Sequence, residues 1–423
     1  MDSRTFRFIH SADWQLGARF SQFSTKAAAL RAARLATFER TLELAVKREA
    51  DAFLIAGDLF EDNHVDDSLV AAVIALCARY PTLPIFILPG NHDAHTGPAS
   101  VWERKLFLGI PSHIHVIRAA GITDLGGGVF LLASPLHQKL STTDPSLKLV
   151  ELAASLPATA IKIGFTHGAL AIEGKHQPND FPIALNAATR AGLDYLAIGH
   201  WHNWLPDTDG GRIVMPGTPE PDRFTNDASG HVALVELSGQ GRPPRVQPLA
   251  VATLSWHSLS FNFLTPESSR ASLAAALADL KPAAANTVVR ITLEGTASPA
   301  ALAEVHAWLS PTLAGFLVGQ IVDRTRVCLS AVELADLQLR HPILAQVLAD
   351  IDRLETFAGG TIGIAASAPV AGETPTPVSS GALTLVELQS LLSPSRIDLA
   401  QLSPEFFSQL RQTVFQTLQE VDR

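Results

Sequence analysis

The chain opens on an apolar run, Phe6-Arg7-Phe8-Ile9-His10, and similar runs return at Ala52–Ala56 and Leu83–Leu88. Each is short and closed by turn-forming residues, the pattern of a buried strand. Between the runs the hydrophobic positions switch to helical spacing. Residues 25–49 place Leu30, Leu35, Phe38, Leu42 and Ala45 along one face, and a second helix is expected over about 65–80. Strands that alternate with helices predict a layered α/β domain.

The pattern changes after residue 110. Short strands are expected at Ile114–Ile117, Val129–Ala133, Ile161–Thr166 and Tyr195–Ile198. Two more, Arg212–Met215 and His231–Leu237, flank a polar loop over 216–224, and together these form a second sheet packed on the first. From about 253 a βαβαβ pattern predicts a small separate unit: strands His257–Phe263, Thr287–Leu293 and Phe316–Val322, with helices over 267–280 and 299–309. Residues 356–382 are rich in Gly, Ala, Ser, Thr and Pro and read as a flexible linker. Helices near 384–392 and 404–422 close the chain. Ser403-Pro404-Glu405 is a strong helix start, and Phe407, Leu410, Val414, Leu418 and Val421 then form a narrow stripe. A tethered apolar stripe of this kind is expected to dock on a partner protein, beside the plainer reading that it packs on its own domain.

Composition narrows the class. With 47% hydrophobic and 17% charged residues the chain is globular, and 423 residues are too many for one core. No apolar run approaches the ~18 residues of a membrane-spanning helix. The start, Met1-Asp2-Ser3-Arg4-Thr5, lacks the features of a signal peptide. Cys77 and Cys328 sit in apolar contexts and read as buried free thiols of a reducing cytoplasm. The net charge is −9, with −6 of it in residues 331–423 (5 basic, 11 acidic). An acidic total argues against a nucleic-acid coat protein, yet it leaves a DNA enzyme open, because bound cations would neutralise metal-binding carboxylates.

The polar residues that end the strands carry the chemistry. Asp13 follows the first strand, Asp58 the second and Asn91-His92-Asp93 the third; His167, His200 and His202 end two later ones. In open α/β sheets ligands bind at these strand ends. Each residue alone has a bland reading, as a turn residue or a core histidine. Together they are oxygen and imidazole donors without a thiolate, a set that suits Mn²⁺, Mg²⁺ or Zn²⁺. Asp13, Asp58, Asn91, His167, His200 and His202 exceed the four ligands of a structural zinc and suffice for two ions about 3.5–4 Å apart with a bridging carboxylate.

Asp13, Gly57-Asp58, Gly90-Asn91-His92-Asp93, Gly164-Phe165-Thr166-His167 and Gly199-His200-Trp201-His202, in this order, resemble the calcineurin-like metallophosphoesterases. Ser11-Ala12-Asp13-Trp14, Gly57-Asp58-Leu59-Phe60-Glu61 and Asp194-Tyr195-Leu196-Ala197-Ile198-Gly199-His200 further resemble the SbcD-type DNA-repair exonucleases, with the YhaO-like branch close by. The likeness covers about residues 5–240. It implies a four-layer α/β/β/α sandwich over 1–250, a cap domain over 251–330, a helix and linker over 331–383 and partner-binding helices over 384–423. It also implies two divalent cations, Mn²⁺ or alternatively Mg²⁺: one held by Asp13, Gln15, Asp58 and His202, the other by Asp58, Asn91, His167 and His200. His92 becomes the catalytic group, oriented by Asp93. Arg19, Lys26 and Arg223 are candidate DNA phosphate contacts, beside an ordinary reading as solvated surface charges.

The implied activity is a metal-dependent DNA exonuclease of the bacterial cytoplasm and nucleoid. Its implied partners are double-stranded DNA ends and a coiled-coil ATPase of the SbcC type; a homodimer is compatible with it, and a membrane role is not expected. One position departs from the pattern: the family's Asp-x-His is Asp13-Trp14-Gln15 here, and a Gln amide oxygen is a poorer donor than imidazole. Two other readings therefore stand beside the nuclease. One is a phosphatase or phosphodiesterase acting on nucleotides or proteins. The other is a DNA-end-binding protein with a degenerate metal site.

Overall fold

The computed structural model describes residues 5–226, 228–327 and 331–361, together with 406, 407, 410, 411, 413 and 414. Backbone contacts divide the chain into two compact units. One comprises Met1–His257, Ala283–Val289 and Phe316–Val318; the other comprises Ser258–Pro282, Arg290–Gly315 and Gly319–Arg423.

In the first unit the chain runs β1 (Phe6–Ser11), α1 (Ala27–Lys47), β2 (Ala52–Ala56), α2 (Asp67–Ala78), β3 (Ile85–Leu88) and β4 (Ile114–Val116). It continues β5 (Gly121–Asp124), β6 (Val129–Ser134), α3 (Leu147–Ala154), β7 (Ile161–Thr166), α4 (Ala187–Arg190) and β8 (Tyr195–Ala197). Strands β9 (Leu205–Thr208), β10 (Ile213–Met215), β11 (His231–Leu237) and β12 (Arg245–Ala250) complete it. The strands form two six-stranded sheets, in the orders β12-β11-β1-β2-β3-β4 and β5-β6-β7-β8-β10-β9. Strands β1 to β4 run parallel, as do β6, β7, β8 and β10, while β11, β12, β5 and β9 join antiparallel.

Side-chain alternation along the strands builds the layers. Phe8, Leu54, Phe86, Leu131, Phe165, Tyr195 and Val235 fill one buried core between the sheets. Ile9, Phe53, Ile55, Ile85 and Ile87 point the other way and pack with Phe38 and Leu42 of α1 and Val70 and Val73 of α2. Leu132, Leu196 and Ile213 do the same for the second sheet, against Leu149 of α3 and Ala187 of α4. The result is the expected α/β/β/α sandwich. The expected strands and the first two helices are present within a few residues. Strands β5, β9 and β12 and helices α3 and α4 were not expected. Arg245–Ala250 is mostly exposed, so it lacks the apolar signal that marks the inner strands.

The chain continues through β13 (Ser255–Asn262), α5 (Pro266–Leu280), β14 (Thr287–Glu294), β15 (Thr296–Ala297), α6 (Pro299–Leu313), β16 (Val318–Asp323) and β17 (Arg326–Val327). The order β13-β14-β16 forms a three-stranded sheet, and β15 pairs with β17. Two helices follow, α7 (Ala331–Arg340) and α8 (Pro342–Thr361), so the first residues assigned to a linker are helical. No helix among the described residues is long and apolar enough to cross a membrane. Cys77 is buried and free, and burial pushes its thiol up to about 12; Cys328 lies outside the described residues.

Part of the C-terminal stripe packs on its own chain, the plainer of its two readings. Phe407 and Val414 are buried and pack with Leu410 against Leu337, Ala345, Leu348 and Ile351 of α7 and α8. Arg411 beside them is buried and donates to Asp352 at 2.6 Å and to Glu355. These three stripe residues thus pack on their own chain, Leu410 only in part. Leu418, Val421 and the predicted 384–392 helix lie outside the described residues. Phe407→Ala should remove that packing and cost roughly 3–5 kcal/mol. Urea unfolding of the full chain measures it, and an unchanged midpoint would show that the stripe is not held there.

Candidate metal centre

The site forms because backbone pairing continues past the strand ends. Asp13 N–H donates to the Gly57 carbonyl at 3.1 Å, Gln15 N–H to Asp58 at 3.0 Å and Leu16 N–H to Leu59 at 2.9 Å. The loops after β1 and β2 therefore descend together and bring Asp13, Gln15 and Asp58 side by side. Asp13, Gln15, Asp58 and His200 all have positive φ, four of the nine described non-glycine residues that do. Such strain costs about 1–3 kcal/mol per residue and gathers at functional sites. Space is equally tight. A Cβ on Gly90 would lie 2.1 Å from Asp58 Oδ1, and one on Gly57 would lie 2.1 Å from His167 Nδ1.

Asp58 is the hub. Its Oδ1 accepts the His92 N–H at 2.9 Å, its Oδ2 accepts Gln15 Nε2 at 3.0 Å, and Oδ2 lies 3.5 Å from His167 Nε2. Burial raises its pKa, but the imidazoles of His167 and His92 and the His92 N–H outweigh burial, and the net shift is downward. Asp13 is buried next to it. Burial first, and the Asp58 charge second, drive its pKa well up. Two carboxylates so placed repel each other unless a cation lies between them.

The imidazoles carry the same message. His167 donates its Nδ1–H to the Ala56 carbonyl at 2.7 Å, and burial lowers its pKa to about 4. The ring is neutral near pH 7, so Nε2 presents a lone pair, yet it faces Asn91 Oδ1 at 2.9 Å. His200 directs Nδ1 to that same oxygen at 3.1 Å while Nε2 contacts Asp180 at 2.8 Å. His167 Nε2, His200 Nδ1 and Asn91 Oδ1 thus converge on one point, an arrangement that fits a bound cation. Asp13 Oδ1 and Gln15 Oε1 are buried and accept no hydrogen bond, a second pair of donors that fit one. Among the described residues, Asp13, Asp58 and His167 form the one group of three His, Cys, Asp or Glu side chains whose ligand atoms lie within 4.8 Å of one another.

His202 and the catalytic candidates sit around this cluster. His202 Nδ1 lies 3.1 Å from Asp222 Oδ2, and the charge of Asp222 is felt at Asp13. Buried Arg34 of α1 joins the first loop to the 216–224 loop, donating to Trp14 O at 2.7 Å and Glu220 O at 2.8 Å. His92 is oriented by the Glu61 carbonyl, 2.9 Å from Nδ1. Asp93 does not perform the orienting role expected of it. Its carboxylate turns inward to accept the N–H groups of Phe60 at 3.0 Å and Gly90 at 2.7 Å, where it braces the loop. Of the basic candidates, Arg223 donates to Asp222 at 3.1 Å. Arg19 lines a cavity of about 480 Å³ with Arg31, Arg34 and Asp62, and Lys26 is exposed. Sequence reasoning missed Glu61, Asp180 and Asp222. Glu61 stood in the Gly57–Glu61 motif without a role, because it acts through its backbone carbonyl; Asp180 lies in an irregular stretch that left no signal, and Asp222 lay in a loop noticed only as polar.

Two sheets with helices outside and a carboxylate–imidazole cluster at the strand ends are the framework of a metal-dependent phosphoesterase. Residues 6–204 match the calcineurin-like phosphoesterase family, and this part of the chain is a calcineurin-like metallophosphoesterase domain. The SbcD component of the SbcCD nuclease of Rhodobacter capsulatus is 27% identical over 301 residues, which cover 57% of this chain and 69% of that protein. The metallophosphoesterase YhaO of Bacillus subtilis is 23% identical over 228 residues, 50% of this chain and 53% of that protein, so the match spans about half of that relative. A crystal structure of a dimetal phosphatase from Danio rerio aligns with 57% of this chain and 98% of its own, at 13% identity and a TM-score of 0.35. The family uses divalent metal ions, and the cluster fits them.

Gln15 makes the two halves of the cluster unequal. It offers the Asp13 side a neutral amide oxygen, a poorer donor than an imidazole, while Asn91, His167 and His200 converge on the other side. Mn²⁺ titration of the metal-free protein should show a tight phase and a weak one. Gln15→His should tighten the weak phase by at least about tenfold, since even groups behind a ligand are worth that much. Two equal tight phases in the native protein would disprove the asymmetry.

Proposed function

We propose that this chain is a two-metal phosphodiesterase acting on DNA, an exonuclease of DNA-end processing. The observation that carries the hydrolytic part is the convergence of imidazole nitrogens and orphaned oxygens around Asp58. The nuclease part is supported by the likeness to the SbcD component of the SbcCD nuclease.

In this reading Asp13, Gln15, Asp58 and His202 hold one ion, and Asp58, Asn91, His167 and His200 hold the other, with Mn²⁺ as the preferred metal and Mg²⁺ as the alternative. Bound there, the ions supply Lewis-acid polarisation of phosphoryl oxygens and an acidified water. The chain's own contribution centres on His92. Because its Nδ1–H is committed to the Glu61 carbonyl, Nε2 is the nitrogen left to meet substrate. Burial lowers its pKa, but the Asp58 charge and the Glu61 carbonyl raise it further, so the net shift favours the protonated ring. A proton held at Nε2 suits delivery to the leaving oxygen of a phosphodiester. Arg223, tied to Asp222 beside His202, and exposed Arg19 and Lys26 supply phosphate contacts along the strand. A coiled-coil ATPase of the SbcC type, held through the C-terminal region, completes the proposed assembly.

His92→Ala should reduce turnover by about 10²–10⁴-fold while both ions stay bound, because the imidazole serves the proton and not the metals. Metal content is measured beside Mn²⁺-dependent rates on linear duplex DNA and on bis-p-nitrophenyl phosphate. Loss of metal in the variant would remove His92 from its catalytic role. Turnover of the small ester without any DNA cleavage would favour the phosphodiesterase reading over the nuclease.

A further inference from the structure

Asp180 lies outside every motif of the cluster, in the irregular segment between β7 and α4, yet it touches a proposed ligand. Its Oδ2 is 2.8 Å from Nε2 of His200, and the two side chains are only 22% and 12% exposed. Its backbone is pinned on both sides. The Asp180 carbonyl accepts the Ala169 N–H at 3.1 Å, two residues past His167. Its neighbours pair with Ser141, through Ser141 N–H to Asn179 O and Phe181 N–H to Ser141 O, each 2.9 Å. Phe181 takes a φ of +52°, so the chain accepts strain immediately after the carboxylate it presents.

The consequence falls on the far side of the ring. A carboxylate accepts only, so the Asp180 contact fixes the proton of a neutral His200 on Nε2. Nδ1 is then the lone-pair nitrogen, and it is Nδ1 that faces Asn91 Oδ1 at 3.1 Å, where His167 Nε2 also points. Without Asp180 the ring could place its proton on Nδ1 and blunt the donor, or rotate away from Asn91. Partners of this kind behind a metal-binding histidine raise its basicity and fix its direction.

We propose that Asp180 is a positioning residue for metal binding: by accepting the Nε2–H of His200 it presents Nδ1 to the point shared with Asn91 and His167, and so sets the affinity of the ion held there. The inference rests on the metallophosphoesterase reading. It adds a residue from a segment with no motif to the machinery of one ion and not the other.

The test uses the full chain stripped of metal, titrated with Mn²⁺ and read by the electron paramagnetic resonance signal of free Mn²⁺. Asp180→Ala should weaken the tight phase by about 10–100-fold and leave the weak phase unmoved. Asp180→Asn keeps an acceptor oxygen and should recover most of the loss. Thermal unfolding of the metal-free variants should match the native protein. Native-like Mn²⁺ affinity in Asp180→Ala would overturn the proposal. So would equal weakening of both phases together with a lower metal-free melting temperature, the mark of a loop merely held in place. A native chain that takes up no Mn²⁺ would overturn the hydrolase reading itself, whereas native binding with an unaffected Asp180→Ala would overturn this inference alone.

Discussion

The buried carboxylate of Asp58 is the point on which the first unit is built. Gln15 from the first loop, the His92 N–H from the third and His167 from β7 in the second sheet all close on its two oxygens. Gly90 is glycine because a side chain there would occupy the position of Asp58 Oδ1, and Gly57 because one would strike His167. A buried charge is expensive unless every lone pair finds a partner. The sheets, the positive φ angles and the extended loop pairing are the means by which this chain provides those partners.

That same convergence leaves the cluster electrostatically incomplete by itself. Asp13 is driven toward protonation by burial and by Asp58, while two imidazole nitrogens turn toward one amide oxygen. A divalent cation held in the cluster would resolve both conflicts. Carboxylates stand beside two of the histidines. Asp180 stands behind His200 and Asp222 beside His202, whereas His92 has only the Glu61 carbonyl behind Nδ1. His167, like His92, is held at Nδ1 by a backbone carbonyl, that of Ala56.

The second unit shows how an apolar stripe is read differently in one and in three dimensions. Phe407, Leu410 and Val414 at helical spacing announce a buried face, and the face is buried. What covers it is α7 and α8, with Arg411 paired to Asp352 and Glu355. Periodicity reports that a surface must be covered; it carries no information on whether the cover lies in the same chain.

The sequence by itself determined the strands and helices that alternate through residues 6–88, the second group of strands to residue 237 and the polar residues at their ends, because each leaves a local signature of apolar period or turn chemistry. Asp13, Asp58, Asn91, His92, His167 and His200 were legible for the same reason: each directly follows an apolar run or sits in the turn that ends it. The tertiary structure alone decided what those residues do to one another. It turned Asp93 inward onto the Phe60 and Gly90 amides, gave His92 to the Glu61 carbonyl, set Gln15 with its nitrogen toward Asp58 and brought Asp180 and Asp222 to the histidines from segments without pattern. Hydrogen bonds between residues far apart in the chain depend on where loops end in space, and neither periodicity nor propensity encodes that.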